Sequence, residues 1–287
     1  MRYNQEHKKD WLELSRVHST LTIENIAKDI LRETSFYQMA ETITIVGTRI
    51  DNITLDEAIS TIIRWIDKHD TPRYVVTPNV DHVVRLQHDN EFKNIYQNAD
   101  LVLADGMPLV WAAKFLETPL HERVSGSDLF IKFCETAARK KCRLFFLGGN
   151  PGDAQKAKEV LVRQNPGLLV VGVYCPPFGF EKDEQEKEKI VELVKAANPD
   201  VLFVGLGAPK QEKWIYEHYQ ENRVPVTIGI GVSFSFAAGT IKRAPMWMQK
   251  TGLEWFWRLM MEPRRLWKRY LVDDMKFFWL VLKQKLS

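Results

Sequence analysis

Short apolar runs that end in glycine or polar residues recur along most of this chain. From residue 43 onward, they alternate with longer stretches in which apolar residues return every three or four positions. The first pattern predicts buried strands, and the second predicts amphipathic helices. Chains that alternate strand and helix build right-handed βαβ units around a parallel sheet. We therefore predict an α/β protein with a Rossmann-like, mostly parallel sheet flanked by helices, followed by a helical C-terminal appendage.

The predicted elements follow from these patterns and from local start and stop signals. Strands are predicted at residues 43–47, 74–76, 101–103, 143–147, 168–173, 201–205 and 226–230. Helices are predicted at 55–66, 80–98, 107–116, 127–140 and 183–197. Two more are predicted, one after the turn at 148–152 that ends at about 164, and one from 209 onward. Thr54 and Glu57 form a capping-box sequence before the first helix, and Ser127 is the predicted cap of the fourth. Pro209 is predicted to open its helix, since proline is favoured in a first turn.

The bulk composition indicates a folded domain and sets one segment apart. Hydrophobic residues make up 45% of the 287 positions, which is enough for a core and excludes global disorder. The net charge is +3, but residues 246–287 carry nine Lys or Arg against four Asp or Glu, which leaves the remainder at −2. We predict three parts: a polar N-terminal extension at 1–40, an α/β domain at 41–245 and a Trp- and Arg-rich appendage at 246–287.

Cysteine usage and hydropathy bear on the compartment. Cys134, Cys142 and Cys175 form no Cys-x-x-Cys pair, which favours a reducing cytosol over a disulfide framework. The polar residues 1–16 lack the apolar segment of a signal peptide. No stretch of about 18 uncharged apolar residues is present, so no helix is predicted to span a bilayer. We therefore expect a cytoplasmic location.

Polar side chains directly follow two of the predicted strands. Thr77 and Asn79 come after the strand at 74–76, and Asp105 follows the strand at 101–103. In open α/β sheets, ligands bind outside the carboxyl ends of the strands. Partial burial at such a position raises the pKa of a carboxylate and makes Asp105 a candidate general base. Asp105 is equally suited to be the N-cap of the next helix, and both roles can hold together.

Two glycine turns lie between a predicted strand and a predicted helix. One contains Gly148 and Gly149, and the other runs from Gly205 through Gly207 to Pro209. Glycine lets backbone N–H groups approach a phosphate at a helix N-terminus. Neither turn is a complete dinucleotide fingerprint or a P-loop, so each alone indicates only a tight turn. Two such turns on neighbouring strands favour a nucleotide diphosphate.

Three polar side chains near these turns are candidate ligand contacts. Lys210 and Gln211 follow the second glycine turn. Lys210 is either a solvated cation or a ligand contact, whereas Gln211 can donate to a ligand oxygen. Arg123 lies in the loop after the helix that follows Asp105. It could neutralise a phosphate through bidentate bonds or form a surface salt bridge.

Several other chemistries lack the residue spacing that they need. The chain has no Asp-x-Asp, and His82 and His88 are predicted to be solvated helix positions instead of metal ligands. Residues 231–235 resemble a nucleophile elbow, but the fifth residue is serine where the motif needs glycine. A nicotinamide-dependent oxidoreductase would need the dinucleotide fingerprint and its acidic ribose partner. We expect neither a metal nor a cofactor.

The C-terminal appendage interleaves aromatic and basic residues. These are Trp247, Trp255, Trp257, Trp267 and Trp279, with Arg258, Arg264, Arg265, Lys268 and Arg269. This composition suits docking on an anionic membrane surface, which we favour. One alternative is an interface of a homo-oligomer, because Trp and Arg are typical interface anchors. The other is single-stranded nucleic-acid binding, which we do not expect.

Six motifs, in one order, resemble the WecG/TagA/CpsF glycosyltransferase family. They are Thr77-Pro78-Asn79, Ala104-Asp105-Gly106, Glu122-Arg123-Val124, Phe146-Leu147-Gly148-Gly149, Gly205-x-Gly207-x-Pro209-Lys210-Gln211-Glu212 and Lys242-Arg243-Ala244-Pro245. The resemblance covers about residues 43–285 and leaves the first 40 residues outside.

The resemblance implies an inverting transfer of a sugar from a UDP-sugar to a polyprenyl-diphosphate-linked sugar. We expect the transfer to be metal-independent if the glycine-turn N–H groups, Arg123 and Arg243 suffice to hold the charge of the departing UDP. The sugar would be of the N-acetylmannosamine type, its uronic acid or a hexose, and the product would serve cell-surface polysaccharide synthesis. The enzyme would act at the inner face of the cell membrane, where its tail docks and closes over the active site. The alternative is a non-catalytic nucleotide-sugar-binding subunit that recruits partners through the tail.

The same resemblance assigns roles to individual residues. Asp105 would be the catalytic base, and Thr77, Arg123 and Gln211 would line its site. The expected contacts to the nucleotide and the sugar diphosphate are Asn79, Gly148, Gly149, Gly205, Gly207, Pro209, Lys210, Gly229, Ser235 and Arg243. One of these positions departs from the family, which often has aspartate where this chain has Ser235. A hydroxyl can still hydrogen-bond there, but the negative charge is lost.

Overall fold

A computed structural model describes residues 41–287 and contains a six-stranded parallel sheet. The strands are β1 Thr42–Ile45, β2 Thr48–Asp51, β3 Arg73–Val76, β4 Leu101–Val102, β5 Arg143–Gly148, β6 Leu169–Tyr174, β7 Val201–Gly205 and β8 Val226–Gly229. The sheet order is β4–β3–β8–β7–β5–β6, and β1 pairs with β2 as a separate antiparallel hairpin. The predicted extension at 1–40 lies outside the described residues.

Helices connect the strands and continue beyond the last one. They are α1 Leu55–Lys68, α2 Val80–Arg85, α3 Asn90–Gln97, α4 Met107–Phe115, α5 Gly126–Lys140, α6 Asp153–Gln164, α7 Glu184–Ala197, α8 Lys210–Asn222, α9 Ser233–Ala238, α10 Met246–Lys250, α11 Glu254–Met261, α12 Pro263–Lys268 and α13 Met275–Leu286. A π-helical turn, Arg269–Asp273, links α12 to α13. The predicted α/β class and the parallel sheet are confirmed.

Two apolar clusters cover the two faces of the sheet. Side chains alternate along a strand, so Leu202 and Val204 enter one cluster while Phe203 enters the other. Helices α2, α3, α7 and α8 pack on the first face, and α1, α5, α6 and α9 pack on the second. Phe130 lies edge-on to Phe203, with ring centroids 4.9 Å apart. Burial on both faces explains why these strands are continuous apolar runs.

The segment predicted as one strand at 43–47 is the first half of a hairpin. The chain reverses at Val46 and Gly47, which both have positive φ, 49° and 70°. The sequence lacks the Asn-Gly or Asp-Gly pair that usually announces such a turn, so the second strand was missed. The hairpin covers the edge of the sheet, because the Asp51 carboxylate accepts a hydrogen bond from the Val102 N–H at 2.7 Å.

Three local predictions need correction. The predicted helix at 80–98 is two helices, because the Asp89 side chain caps α3 by accepting from the Phe92 N–H. The predicted cap Ser127 is wrong, since Ser125 caps α5 by accepting from the Asp128 N–H at 3.1 Å. His82 is buried instead of solvated, whereas His88 is exposed as predicted.

Burial gives His82 the properties of a neutral core residue. Its Nδ1 lies 2.7 Å from the hydroxyl oxygen of Tyr96. Burial, together with the charges of Arg269 and Arg85, lowers the pKa of His82 to about 3. Two other start signals are confirmed: Thr54 and Glu57 form a capping box at α1, and Pro209 directly precedes α8.

The C-terminal helices differ in how firmly they join the fold. Helix α13 packs into the first core cluster through Phe277 and Val281. Its Gln284 accepts from the Val46 N–H at 2.6 Å and donates to the Thr44 carbonyl at 2.9 Å, so it holds the hairpin. Helices α10 to α12 bury few side chains. No helix in the described part of the chain is long and apolar enough to cross a bilayer.

We expect Gly205→Ala to lower the free energy of unfolding by about 2 kcal/mol and the melting temperature by about 6 °C. A Cβ at Gly205 would lie 2.8 Å from the Gly231 carbonyl oxygen and from the Phe234 ring. Gly126→Ala is the matched control and should cost less, because its added carbon comes no closer than 3.2 Å to its neighbours. Thermal and urea unfolding measure both. An unchanged melting temperature for Gly205→Ala would contradict this packing.

Candidate active site

The carboxyl ends of neighbouring strands β4, β3 and β8 bring the predicted site residues to one edge of the sheet. Asp105 follows β4, and its backbone N–H donates to the Pro78 carbonyl in the loop after β3 at 2.8 Å. The Thr77 hydroxyl donates to the Gly229 carbonyl at the end of β8 at 3.3 Å. These bonds fix the three strand ends relative to one another. The sheet therefore places Asp105 and Thr77 at the same edge, as the sequence predicted.

Gln211 ties the first turn of α8 to the end of β8. Its Oε1 accepts from the Gly231 N–H at 2.8 Å, and its Nε2 donates to Glu212 Oε1 at 2.9 Å. A Cβ on Gly229 would lie 2.4 Å from that Nε2, so only glycine leaves room for the amide. The carbonyl of Gln211 is therefore committed within the protein, and only its amide group retains a free N–H for a ligand.

Glu212 is a buried carboxylate that orients Gln211. It is 1% exposed, and its Oε2 has no hydrogen-bond partner within the described residues. Burial raises the pKa of Glu212 to about 7, although its own backbone N–H, Gln211 and Arg85 favour the charged form. In its charged form the carboxylate can only accept from the Gln211 amide, so it fixes which end of that amide faces Gly231.

Two arginines and two carboxylates form a ring of ion pairs next to Asp105. Arg123 lies 2.7 Å from Asp128 and 3.7 Å from Glu254. Arg243 lies 2.6 Å from Asp128 and 3.2 Å from Glu254. The ring joins the loop before α5, the first turn of α5, the loop before α10 and the first turn of α11. Arg123 and Arg243 were predicted as ligand contacts, and the fold brings them together.

The ring and the surrounding protein set the protonation of Asp105. Asp105 as a residue is partly exposed, but burial raises the pKa of its carboxylate to about 6. Arg123 and Arg243 lower this pKa, whereas Glu254 and Asp128 raise it. For Asp128, burial acts to raise the pKa. Hydrogen bonds from Arg243 and Ser125 and the charge of Arg123 outweigh this effect of burial, so the pKa of Asp128 lies below its ordinary value. Asp105 thus has a pKa close to neutral pH, whereas the neighbouring Asp128 stays ionised.

Asn79 connects the cleft to the C-terminal segment. Its Oδ1 caps α2 by accepting from the His82 N–H at 3.3 Å. The same oxygen accepts from Arg269 in the π-helical turn at 3.2 Å. Arg269 also lies 3.6 Å from the Asp81 carboxylate. A predicted ligand contact is therefore occupied by the tail in this conformation.

Packing within the protein explains most of the predicted glycine positions. A Cβ on Gly148 would lie 2.6 Å from the Gly205 carbonyl oxygen, because the two turns touch. The Gly149 N–H donates to that same carbonyl at 2.8 Å. Gly207 has φ of 76° and faces open space, so its backbone is accessible to a ligand. Nucleotide contacts by these turns, and by Pro209 beside them, remain predictions.

Ser235 is committed to a buried carboxylate. Its hydroxyl donates to Asp153 Oδ2 at 2.5 Å, and Asn150 donates to the same oxygen at 2.9 Å. Thr240 donates to the other carboxylate oxygen at 2.8 Å. These bonds tie the first glycine turn to α9. Sequence reasoning missed Asp153, which supplies a negative charge next to the position where the family often has one.

The predicted contact Lys210 lies on the rim of the same edge. Its ammonium group is 2.5 Å from the Glu181 carboxylate and 5.0 Å from the centroid of the Phe178 ring. Phe178 is fully exposed in the loop after β6. A fully exposed aromatic ring beside a cation can stack on a planar ligand. No cluster of three potential metal ligands occurs within the described residues, and metal independence remains an expectation.

Sequence reasoning missed two members of the charged ring, Asp128 and Glu254. Asp128 had a local signal, because Ser125 and Asp128 have the spacing of a helix start with an acid at its third position. Glu254 had none, since it meets Arg123 and Arg243 only after the chain has folded back over the sheet edge.

Known glycosyltransferases are similar to this chain over most of its length. A family model described as "Glycosyl transferase WecG/TagA/CpsF family" matches residues 43–287. A Bacillus spizizenii protein is 32% identical over 212 residues, which cover 74% of this chain and 79% of that one. A Bacillus subtilis protein is 29% identical over 79% of this chain and 87% of its own length. A Staphylococcus aureus protein is 29% identical over 78% and 85%, respectively. All three carry the name N-acetylglucosaminyldiphosphoundecaprenol N-acetyl-beta-D-mannosaminyltransferase.

We expect Asp105→Asn to raise the melting temperature by about 5 °C at pH 8 and to have little effect near pH 4. Burial raises the folded-state pKa from 3.8 to about 6, so the folded state holds its proton longer than the unfolded chain. Wild-type stability therefore falls as the pH rises through this window, and asparagine removes that loss. Melting curves of both proteins at pH 4, 6 and 8 test this, and a difference independent of pH would contradict it.

Proposed function

Because the chain belongs to the WecG/TagA/CpsF family of glycosyltransferases, we propose that it transfers an N-acetylmannosamine-type sugar from a UDP-sugar to a sugar on a polyprenyl diphosphate. That it is an enzyme transferring a sugar follows from the family and its relatives. The names of those relatives specify both the transferred sugar and an N-acetylglucosaminyl diphospholipid acceptor. The observation that carries the proposal is Asp105, a carboxylate with a raised pKa beside two paired arginines.

The proposed reaction is a single displacement with Asp105 as the general base. The acceptor hydroxyl oxygen bonds to the anomeric carbon as its proton passes to the Asp105 carboxylate. The bond from that carbon to the diphosphate oxygen breaks, and UDP leaves with the electron pair. One displacement inverts the configuration at the anomeric carbon. A pKa of about 6 suits this role, since the base is ionised at neutral pH yet still basic.

We infer that Arg123 and Arg243 stabilise the departing diphosphate. Guanidinium groups bind phosphate oxygens in bidentate geometry and carry fixed positive charge. Both are held beside Asp105 by Asp128, so they are oriented before substrate binds. Glu254 bonds the same two groups, and the diphosphate would displace it. The arginines would then supply the charge that a divalent metal would otherwise supply, which supports a metal-independent reaction.

The remaining predicted contacts fit around this centre. The open backbone at Gly207 and the rim residue Lys210 are suited to the nucleotide, and Thr77 and the free N–H of Gln211 to the transferred sugar. Residues 246–287, with a local charge of +5 and exposed tryptophans, are suited to an anionic membrane surface. The enzyme would then act at the inner face of the cell membrane, where a lipid-linked acceptor is found, in cell-surface polysaccharide synthesis.

We expect Asp105→Asn to lower the rate of sugar transfer at least about a thousandfold, because amide nitrogen and oxygen cannot take the acceptor proton. UDP binding should survive, since the arginine ring is unchanged. In the wild type, the rate should rise with pH to a plateau with a midpoint near 6, as the base loses its proton. UDP release with a synthetic lipid-diphosphate acceptor measures the rate, and calorimetry measures UDP binding. Normal turnover in the variant would remove Asp105 from the mechanism.

We expect Glu254→Gln to tighten UDP binding about fivefold, because a neutral amide competes less well than a carboxylate for the two arginines. The matched control is Glu262→Gln, which alters another acid of the same segment, paired 2.6 Å from the exposed Arg265. The control should leave UDP affinity unchanged. Calorimetric titration with UDP at low and high salt measures both variants. Unchanged or weaker binding by Glu254→Gln would show that Glu254 does not compete for the diphosphate site.

A further inference from the structure

Helix α4, which directly follows Asp105 and Gly106, is apolar on its outer face as well as on its inner face. Leu109, Ala112 and Ala113 are buried against the core. Trp111 is 43% exposed and Phe115 is 49% exposed. The helix contains one lysine and no acidic residue. A helix that is apolar all round is ordinarily enclosed by other apolar material.

The outer face of α4 is a regular stripe. Met107, Trp111 and Phe115 are spaced four residues apart, so they lie in one line along the helix. Lys114 is the one charged residue of the helix itself, and it is exposed. We call Met107, Trp111 and Phe115 the α4 stripe. Folding of the described chain leaves this stripe partly uncovered.

The C-terminal segment contacts the α4 stripe near both of its ends. Gly252, between α10 and α11, packs so closely that a Cβ there would lie 2.4 Å from the Trp111 ring and 2.8 Å from the Met107 Cβ. At the other end, the Lys285 ammonium group of α13 lies 5.9 Å from the Phe115 ring centroid. Lys285 also pairs with Glu117 at 2.8 Å, which neutralises the acid nearest to this end. The stripe and the tail therefore form one continuous surface.

Exposed apolar side chains are concentrated on that surface. Of the nineteen large hydrophobic residues exposed within residues 41–287, only Val162, Leu169, Phe178 and Leu193 lie outside α4 and the tail. The tail members include Trp247, 61% exposed, and Trp279, 62% exposed. Exposed lysines, such as Lys250 and Lys276, lie among them. Aromatic and aliphatic groups interspersed with cations match the interface of an anionic bilayer in both polarity and charge.

We propose that α4 is a membrane-contact element in its own right, whose Met107–Trp111–Phe115 stripe enters the interface of an anionic lipid bilayer beside the tail. Membrane contact by α4 does not depend on the proposed function. Only its consequence for acceptor access, given next, rests on that function. Asp105 lies two residues before the start of α4, so contact through this helix holds the proposed base close to the lipid surface. A diphosphate-linked sugar anchored in that surface would then reach the cleft without leaving the membrane.

The test compares Trp111→Ala/Phe115→Ala with the wild type in co-sedimentation with vesicles of phosphatidylglycerol and phosphatidylcholine. Loss of two large interfacial side chains should lower the partition coefficient about tenfold. The matched control is Leu169→Ala/Leu193→Ala, which removes residues of 43% and 38% exposure that lie on β6 and α7. The control should bind vesicles as the wild type does. An unchanged partition coefficient for the α4 variant would overturn the proposal.

Two further readouts separate this proposal from its alternatives. UDP release with a short-chain, water-soluble acceptor should be equal in the α4 variant and the wild type. Absence of turnover in both would refute the proposed function and leave the vesicle result standing. If the stripe instead contacts a second copy of the chain, the variant would change the molar mass in light scattering while vesicle binding stayed the same, which would also overturn the proposal.

A second measurement avoids dependence on the fold of the double variant. Phe115→Cys in a Cys175→Ser background can be labelled with an environment-sensitive fluorophore, because Cys134 and Cys142 are buried. Addition of phosphatidylglycerol vesicles should shift the emission to the blue, as expected for transfer of the probe to an apolar interface. The control is Leu193→Cys, labelled in the same background, and its emission should not shift when vesicles are added. Equal spectra with and without vesicles at position 115 would refute contact by α4.

Discussion

The pairing of Arg123 and Arg243 with Asp128 and Glu254 is the interaction on which the site depends. Charges that are partly withdrawn from water are costly unless they are paired and hydrogen-bonded. The four groups come from four separate segments, so satisfying them fixes the loops before α5 and α10 and the first turn of α11. The same ring acts on Asp105, whose pKa its two arginines lower and its two carboxylates raise. Tail position and carboxylate protonation are thus physically coupled.

A second constraint is the close approach of backbones at the strand ends. Gly148 and Gly205 touch, and Gly229 leaves space for the Gln211 amide. Any side chain at these positions would separate β5 from β7 or displace the residue that holds the Gly231 turn. These glycines are therefore required by the protein itself, before any ligand is considered. A precise arrangement of strand ends is what brings Thr77, Gln211 and Asp105 to one edge of the sheet.

The C-terminal segment combines two kinds of packing. Helix α13 is part of the main core and holds the β1–β2 hairpin through Gln284. Helices α10 to α12 instead have few buried side chains, and three of their aromatic residues, Trp247, Phe256 and Trp267, are exposed. The segment is held near its start by Glu254, in its middle by Arg269 at Asn79, and at its end by α13. A segment held in this way can present an apolar surface and still keep a fixed position relative to Asp105.

The sequence by itself determined the class of fold, because buried parallel strands are continuous apolar runs and their helices carry period-3.6 stripes. It also located Thr77 and Asp105 at strand ends, and the ordered motifs indicated the family. It did not give the β1–β2 hairpin, whose Val46–Gly47 turn lacks a common signal, nor the burial of His82 against Tyr96. Only the tertiary structure decided that Glu254 meets Arg123 and Arg243, that Ser235 binds Asp153, and that Asn79 contacts Arg269. Local patterns encode local structure, whereas contacts between residues separated by 80 to 190 positions arise only when the whole chain packs.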